Sequence, residues 1–369
     1  MISQFSIKNF KCLRDVTVNL QRFTVFVGVN GSGKTSFLQA IDLLCRSFRG
    51  DPNELNAEYQ QHRSYGATDE VELACQWGDR FFRYRSNSSL FIQPTFGRFE
   101  NQAVFRAAGQ PWTRELAHPG IEGIPDNWKP WQISEGILPN PVWLRLDPNV
   151  LRISQAGSTV DSRIMQSNGH GLHTATAAMS LEDPDLWLVL QEQLRQIVPS
   201  IRRLRHTPQQ ELLFDTINGK GFKAHQVSEG TLLTLGLLAA IHGVNKPGIL
   251  LLDDLDRALH PKAQRELIDL LRGIQKTNSE IQILASTHSP YMLDRMKPNE
   301  IQVTTLRDDG STACQPITHH PDFEKWKDEF QPGELWSFFG EQWASASNPP
   351  GENARASIAD ETGAGAEQP

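Results

Sequence analysis

The chain has 369 residues, 38% of them hydrophobic and 21% charged, with a formal net charge of −7. Length and apolar content allow a large core divided into two or three lobes and exclude a short adaptor. The acidic balance excludes a globally basic nucleic-acid binder while leaving room for a local basic patch.

In chain order, Met1-Ile2-Ser3-Gln4-Phe5 lacks a basic start followed by an apolar core, so no secretory signal is expected. Phe23-Thr24-Val25-Phe26-Val27 reads as a buried strand running into Gly28-Val29-Asn30-Gly31-Ser32-Gly33-Lys34-Thr35, a complete phosphate loop. Such a turn closes backbone N–H groups around phosphate oxygens, its lysine bridges the outer phosphates, and its hydroxyl holds a magnesium ion. Residues 36–48 read as the following helix, with Phe37, Leu38, Ile41, Leu44 and Phe48 on one face and a partly positive N-terminus towards the phosphates. This strand–loop–helix context predicts a nucleoside triphosphate site.

Residues 49–69, with Gly50, Asp51-Pro52 and Gly66, read as a mobile loop or short excursion, and residues 70–77 and 80–85 as paired antiparallel strands around Gly78-Asp79. Residues 107–142 carry Trp112, Trp128 and Trp131 among prolines and glycines and read as an irregular packed excursion, from which Val142-Trp143-Leu144-Arg145-Leu146 returns to the sheet. Ser180, Asp183 and Pro184 predict a helix start. Trp187, Leu190, Leu194 and Ile197 then mark one apolar face, a lid element ending before Pro199. No sustained heptads occur, which excludes a long coiled coil. His170 and His173 lack a ligand set and read as structural or exposed. The four cysteines, Cys12, Cys45, Cys75 and Cys314, lack metal-site spacing and suit a reducing compartment.

Arg195, Arg202, Arg203 and Arg205, with Lys220 and Lys223 across a hairpin at Asn218-Gly219, form the densest basic cluster. It is either a solvated strand face or a phosphate-contacting surface; without interleaved aromatics it does not predict base stacking. Gln226-Val227-Ser228-Glu229-Gly230-Thr231 precedes an apolar helix over 232–241 and reads as a second anion-binding surface or an ordinary capped helix. That apolar stretch is far shorter than the roughly 20 residues that span a bilayer, so a cytoplasmic protein without membrane contact is expected.

Gly248-Ile249-Leu250-Leu251-Leu252-Asp253-Asp254 is an apolar strand ending in two carboxylates. Asp253 is placed to reach Mg2+ directly or through water, and Asp254 to face the attacking water. The strand Ile281-Gln282-Ile283-Leu284-Ala285 ends at Ser286-Thr287-His288-Ser289-Pro290, where His288 is either a γ-phosphate contact or a satisfied turn histidine. Two further strands, a helical region over 321–343 and a polar tail over 346–369 complete the reading; the tail is expected to be disordered, with no separate nuclease domain.

The order of phosphate loop, Ser-x-Gly helix, Asp-Asp strand and strand-end histidine resembles the ATP-binding-cassette heads of the RecF/SMC/OLD-like group. Phe5-Ser6-Ile7-Lys8-Asn9-Phe10-Lys11-Cys12-Leu13 is similar to that group's first strand and turn. The nearest likeness is to compact bacterial ATPases without a coiled coil, found in DNA repair and phage defence, and it covers most of residues 1–345. It implies an α/β P-loop fold: an ABC-ATPase head with a mixed central sheet, an antiparallel β subdomain and a helical lid insertion. The implied division is an N-terminal ATPase lobe over 1–106, an insertion over 107–200, a C-terminal ATPase lobe over 201–345 and the tail.

By the same resemblance, Asn30, Gly31, Ser32, Gly33, Lys34, Thr35 and Ser36 bind ATP, and Thr35 and Asp253 hold Mg2+. Asp254 and His288 are catalytic, and Ser228 and Gly230 cap the γ-phosphate held by the opposite subunit of a homodimer. Arg257-Ala258-Leu259-His260 matches the loop along the dimer seam, before Pro261 at the first position of a helix. Many relatives have glutamate where this chain has Asp254, a carboxylate withdrawn by about 1.5 Å. The glutamine that links the lobes in relatives is not evident; Gln93 is one candidate. The functions implied are an ATPase whose dimerisation is coupled to DNA binding or sensing, with Arg202, Arg203 and Arg205 on the DNA, or an ATP-gated scaffold controlling a separate effector such as a nuclease. A transporter ATPase fits the opening strand less well.

Overall fold

The structure, a computed structural model, describes residues 1–47, 58, 61–67, 70–77, 80–86, 92–98, 105–106, 141–153, 165–243 and 248–346. Most of the expected loop at 49–69, nearly all of the tryptophan-rich excursion and the tail from residue 347 lie outside these residues.

The chain opens with β1 (Ile2–Phe10), β2 (Leu13–Asn19) and β3 (Phe23–Gly28), followed by α1 (Lys34–Ser47). Next come β4 (Val71–Trp77), β5 (Arg80–Ser86), β6 (Ile92–Arg98), β7 (Phe105–Arg106) and β8 (Pro141–Leu144). A helical section follows: α2 (Pro148–Leu151), α3 (Leu172–Glu182) and α4 (Pro184–Ile197). Then come β9 (Ile201–His206), β10 (Leu212–Thr216), β11 (Gly219–Lys223), α5 (Glu229–Gly243), β12 (Ile249–Leu252), α6 (Pro261–Thr277) and β13 (Gln282–Thr287). The last elements are α7 (Pro290–Leu293), β14 (Ile301–Leu306), β15 (Thr312–Pro316), α8 (Phe323–Trp326), α9 (Pro332–Phe339) and α10 (Trp343–Ala346).

The central sheet has the order β15-β14-β3-β13-β12-β8. Its strands run parallel from β14 to β8, and only β15 is antiparallel. Parallel strands covered on both faces read as continuous apolar runs, because neither set of alternating side chains meets water. In β12, Ile249 and Leu251 join the core around α1, while Leu250 and Leu252 join the core around α6. Phe26 of β3 stacks on Phe37 of α1 with ring centroids 4.8 Å apart, a pair worth about 0.5–1.5 kcal/mol beyond its area.

A six-stranded antiparallel sheet, β2-β1-β4-β5-β6-β7, shares the α1 core with the central sheet. It contains the expected β4–β5 pair, with Gln93 on β6 opposite Arg85. The third sheet, β11-β10-β9, packs with α3, α4 and α5 around Leu190, Leu194, Phe214 and Leu235. These sheets and helices form the expected mixed α/β P-loop architecture with an antiparallel subdomain and a helical insertion.

One local expectation is corrected. Ser180 belongs to the last turn of α3, its hydroxyl donating to Ala177 O at 2.8 Å. Asp183 is the N-cap of α4, accepting Leu186 N–H at 3.0 Å. Helix α3 itself, LHTATAAMSLE, has no apolar stripe because small residues bury it on several sides. On it His173 is buried and accepts the backbone N–H of Leu212 at 3.1 Å through Nδ1. Among the described residues no helix is long and apolar enough to cross a membrane.

Candidate nucleotide site

Parallel pairing carries four strand ends to one edge of the sheet: β3 ends at the phosphate loop, β12 at Asp253, β13 at His288 and β8 at Arg145. Ligand sites in open α/β sheets form at such carboxyl edges. Here the edge opens into a cleft of about 400 Å³ lined by Asn30, Gly31, Gly33, Lys34, Thr35, Ser36, Asp254, Asp256, Arg257 and His288.

The loop is braced from below. Ser32 is buried, its hydroxyl 2.7 Å from Thr304 Oγ1, and its carbonyl accepts from Thr312 Oγ1 at 3.1 Å. Ser32 thus spends its side chain on the β14–β15 hairpin and offers the cleft only backbone. Gly33 has φ +97°, and a Cβ there would meet Thr312 Oγ1 at 2.6 Å, so both conformation and space require glycine. Lys34 turns its ammonium onto the loop, donating to Gly28 O at 2.9 Å and Val29 O at 2.8 Å. Burial lowers its pKa, against the opposing pull of Asp254 and Asp253. A buried cation satisfied only by carbonyls suits exchange for phosphate oxygens. Ser36 lies one turn into α1, and its Oγ accepts from Cys12 Sγ at 3.8 Å.

Thr35 Oγ1 donates to Asp253 Oδ1 at 2.9 Å across a sequence separation of 218 residues. The same oxygen takes the hydroxyl of Ser286 at 2.6 Å, and Ser286 Oγ in turn receives Asp254 N–H at 2.9 Å. Asp254 sits at φ 49°, a left-handed conformation that aspartate tolerates better than most residues. Loss of solvent in the cleft, then neighbouring Asp253, raises its carboxyl pKa. A raised pKa makes a carboxylate a better proton acceptor near neutrality. His288 is half-buried opposite it. The turn is fixed by Asp256 Oδ1, which accepts His288 N–H at 3.0 Å and Thr287 Oγ1 at 2.6 Å.

Ser228 and Gly230 are not brought into this cleft. Ser228 is exposed at the start of α5, its Oγ accepting Thr231 N–H at 3.3 Å and lying 2.8 Å from Thr231 Oγ1. Gly230 packs so closely on the loop before α6 that a Cβ would lie 2.5 Å from Ala258 O. Pro261 opens α6, with His260 as its N-cap.

The basic cluster is divided. Arg202 and Arg203 are exposed neighbours on β9, at the register shift where Ile201 pairs with Thr216 and Arg203 with Asp215. Arg205 forks onto Asp215 at 2.9 and 2.8 Å and holds that carboxyl below its ordinary pKa. Lys223 pairs with Glu211 at 3.1 Å. The expected single patch is therefore reduced mainly to exposed Arg202 and Arg203.

Sequence reasoning did not single out Asp256, Ser286 or Arg145 as site residues. Ser286 and Arg145 lay inside segments read for other reasons and Asp256 between two of them; Arg145 is recognisable as a site residue only once β8 is known to border β12.

Residues 1–107 match a family described as "AAA ATPase domain", and residues 173–294 match "AAA domain, putative AbiEii toxin, Type IV TA system". An OLD nuclease of Thermus scotoductus is 25% identical over 335 residues, covering 80% of this chain and 60% of that protein. These matches lie over the same loop, strand ends and helices that build the cleft. The chain is similar to the OLD/SMC-like ABC-type ATPases.

Two further likenesses concern part of the sequence and the fold. The "Retron Vc95 probable ATPase" of Vibrio cholerae is 27% identical over 144 residues, covering 36% of this chain and 27% of that one. The chain thus spans 60% or less of these two curated relatives. An SMC head crystallised with the C-terminal winged-helix domain of ScpA shares the fold, with TM-score 0.56, 16% identity, and coverage of 85% of this chain and 96% of that one. The glycine-rich loop and the start of α1 that line the cleft fall inside the segment matching the AAA ATPase domain.

Proposed function

We propose that the chain is a Mg2+-dependent ATPase whose ATP-bound form is a twofold homodimer, coupled to DNA binding or sensing in defence or repair. The observation that carries the chemistry is the 2.9 Å contact between Thr35 Oγ1 and Asp253 Oδ1 beside the Lys34 ammonium. Among the described residues no cluster of three metal-ligating side chains exists. One hydroxyl and one carboxylate fit a magnesium ion that takes its remaining oxygens from phosphate and water. Thr35 and Asp253 would hold that ion, which would supply Lewis-acid polarisation of the phosphate oxygens.

Lys34 leaves the loop carbonyls for the outer phosphates, and the loop amides of residues 30–36 orient them. Asp254 holds the attacking water and takes its proton; His288 donates a hydrogen bond to the γ-phosphate. Ser228 and Gly230 lie outside this cleft, so they serve the partner's nucleotide in a head-to-tail pair of subunits. A cytoplasmic location is part of this reading. Its proposed DNA contacts are Arg202 and Arg203, with Arg205 committed to Asp215.

The 60% overlap with an OLD nuclease favours a second reading, in which ATP holds a dimer that controls a separate nuclease with slow turnover. The short Asp254 side chain suits slow hydrolysis. Light scattering with Mg-ATP tests the dimer: Asp254→Asn should accumulate as a dimer, and adding Ser228→Arg should return it to monomer while each subunit still binds ATP. An Asp254→Asn protein that stays monomeric at saturating ATP overturns the proposal. ATP turnover with no addition, single-stranded DNA or duplex DNA separates the two readings.

A further inference from the structure

Arg145 stands where a second cation is needed. Leu144 and Leu252 pair in register, so the residues after them, Arg145 and Asp253, leave the sheet side by side. Asp253 Oδ1 is committed to Thr35 and Ser286, whereas Oδ2 faces Arg145 Nε at 3.8 Å. The guanidinium is held loosely: its side chain is 60% exposed and its Cζ lies 5.2 Å from the centroid of Trp143. The Arg205–Asp215 fork, by contrast, has contacts of 2.8 and 2.9 Å.

The backbone beneath Arg145 is held firmly. Its N–H donates to Ser167 O at 2.9 Å, and Asp147 N–H donates to Asn168 O at 3.0 Å. Asp147 caps α2 through Asn149 N–H at 2.8 Å. Leu146 and Leu151 lean on α5 at Gly236, where a Cβ would meet them at 3.1 and 3.0 Å. At the head of α5, Arg152 faces Glu229 at 3.8 Å, next to Ser228 and Gly230. A loose side chain at the carboxylate is thus joined to a tight backbone that abuts α5.

We infer that Arg145 is a place-holding cation: it neutralises Asp253 until a divalent ion arrives, then yields, and so ties occupation of that carboxylate to the α2–α5 contact. This rests on the nucleotide reading above. A magnesium ion meets carboxylate oxygen at about 2.0–2.1 Å with twice the charge, so it displaces a guanidinium standing farther off. Arg145 is a positioning residue, acting on α5 through Leu146 and Leu151.

Two measurements on the full chain test it. Electron paramagnetic resonance titration with Mn2+ alone should show Arg145→Ala binding the ion about three- to fivefold more tightly than wild type, the range for losing a half-exposed ion-pair competitor. Arg145→Lys, which keeps a cation, should stay near wild type. Hydrogen exchange over residues 145–152 and 228–236 should respond to Mn2+-ATP in wild type and respond less in Arg145→Ala. Unchanged or weaker Mn2+ binding by Arg145→Ala, or an undiminished exchange response, overturns the inference. If the wild-type chain takes up neither Mn2+ nor Mn2+-ATP, the nucleotide reading itself falls; if it takes up both and Arg145→Ala behaves identically, only the role of Arg145 falls.

Discussion

The buried hydroxyl of Ser286 lies 2.6 Å from Asp253 Oδ1 and receives the Asp254 N–H at 2.9 Å, so one oxygen positions both strand-end carboxylates. Ser286→Ala leaves the Asp254 N–H unpaired and Asp253 Oδ1 with Thr35 as its one remaining hydrogen-bond donor among the described residues. The expected cost is about 1–3 kcal/mol of stability, read by urea denaturation, with weaker Mn2+ binding in the same protein. Full retention of both shows that the hydroxyl is dispensable.

Lys34→Ala removes the ammonium that now rests on Gly28 O and Val29 O. A charge-assisted hydrogen bond contributes about 1.5–3 kcal/mol, so ATP affinity should fall by about ten- to a hundredfold or more in a calorimetric titration. Thermal melting of the nucleotide-free protein should change little. Wild-type affinity in the variant sinks the assignment of this loop.

His206 gives a pH prediction. Burial, then the nearby His173, lowers its pKa to about 4, and its Nε2 lies 3.1 Å from Thr176 Oγ1. The unfolded chain takes up this proton near the ordinary value of about 6.5, before the folded one does. The stability contributed is therefore full above that value and declines as pH falls towards about 4. Melting temperature should drop across this window in wild type and less steeply in His206→Asn. Equal slopes in the two proteins assign the acid sensitivity elsewhere.

If Arg202 and Arg203 meet phosphate, Arg202→Ala with Arg203→Ala should weaken duplex binding regardless of sequence. The slope of log affinity against log salt should flatten by about 0.9 per lost contact. Fluorescence anisotropy over a salt series reads this, and an unchanged slope leaves both arginines as solvated charges.

The parts legible in sequence were those whose environment is local or uniform. Strands β3, β12 and β13 read as strands because both faces are covered and every position is buried. The phosphate loop read correctly as a turn between strand and helix because glycine backbone needs are local. Helix α3 was missed because Ala and Thr on several faces produce no period. Asp256 was missed because its partners, Thr287 and His288, are more than 30 residues away and meet it only after β12 and β13 pair. The basic cluster was overcounted because Arg205 and Lys223 are taken up by Asp215 and Glu211, partners that meet them only once the β9–β10–β11 sheet forms.

The parallel edge that gathers the cleft also makes it late to form. Lys34, Arg145, Asp253 and His288 are neighbours only when β3, β13, β12 and β8 are all in register. An unfolded or half-paired chain presents a glycine-rich segment without its carboxylate, so nucleotide discriminates between completed and incomplete sheets. Ligand that binds only the completed form raises stability by mass action, by about 2.7 kcal/mol at a hundredfold excess over its dissociation constant. Cellular ATP would then act on this chain as a folding ligand before it acts as a substrate.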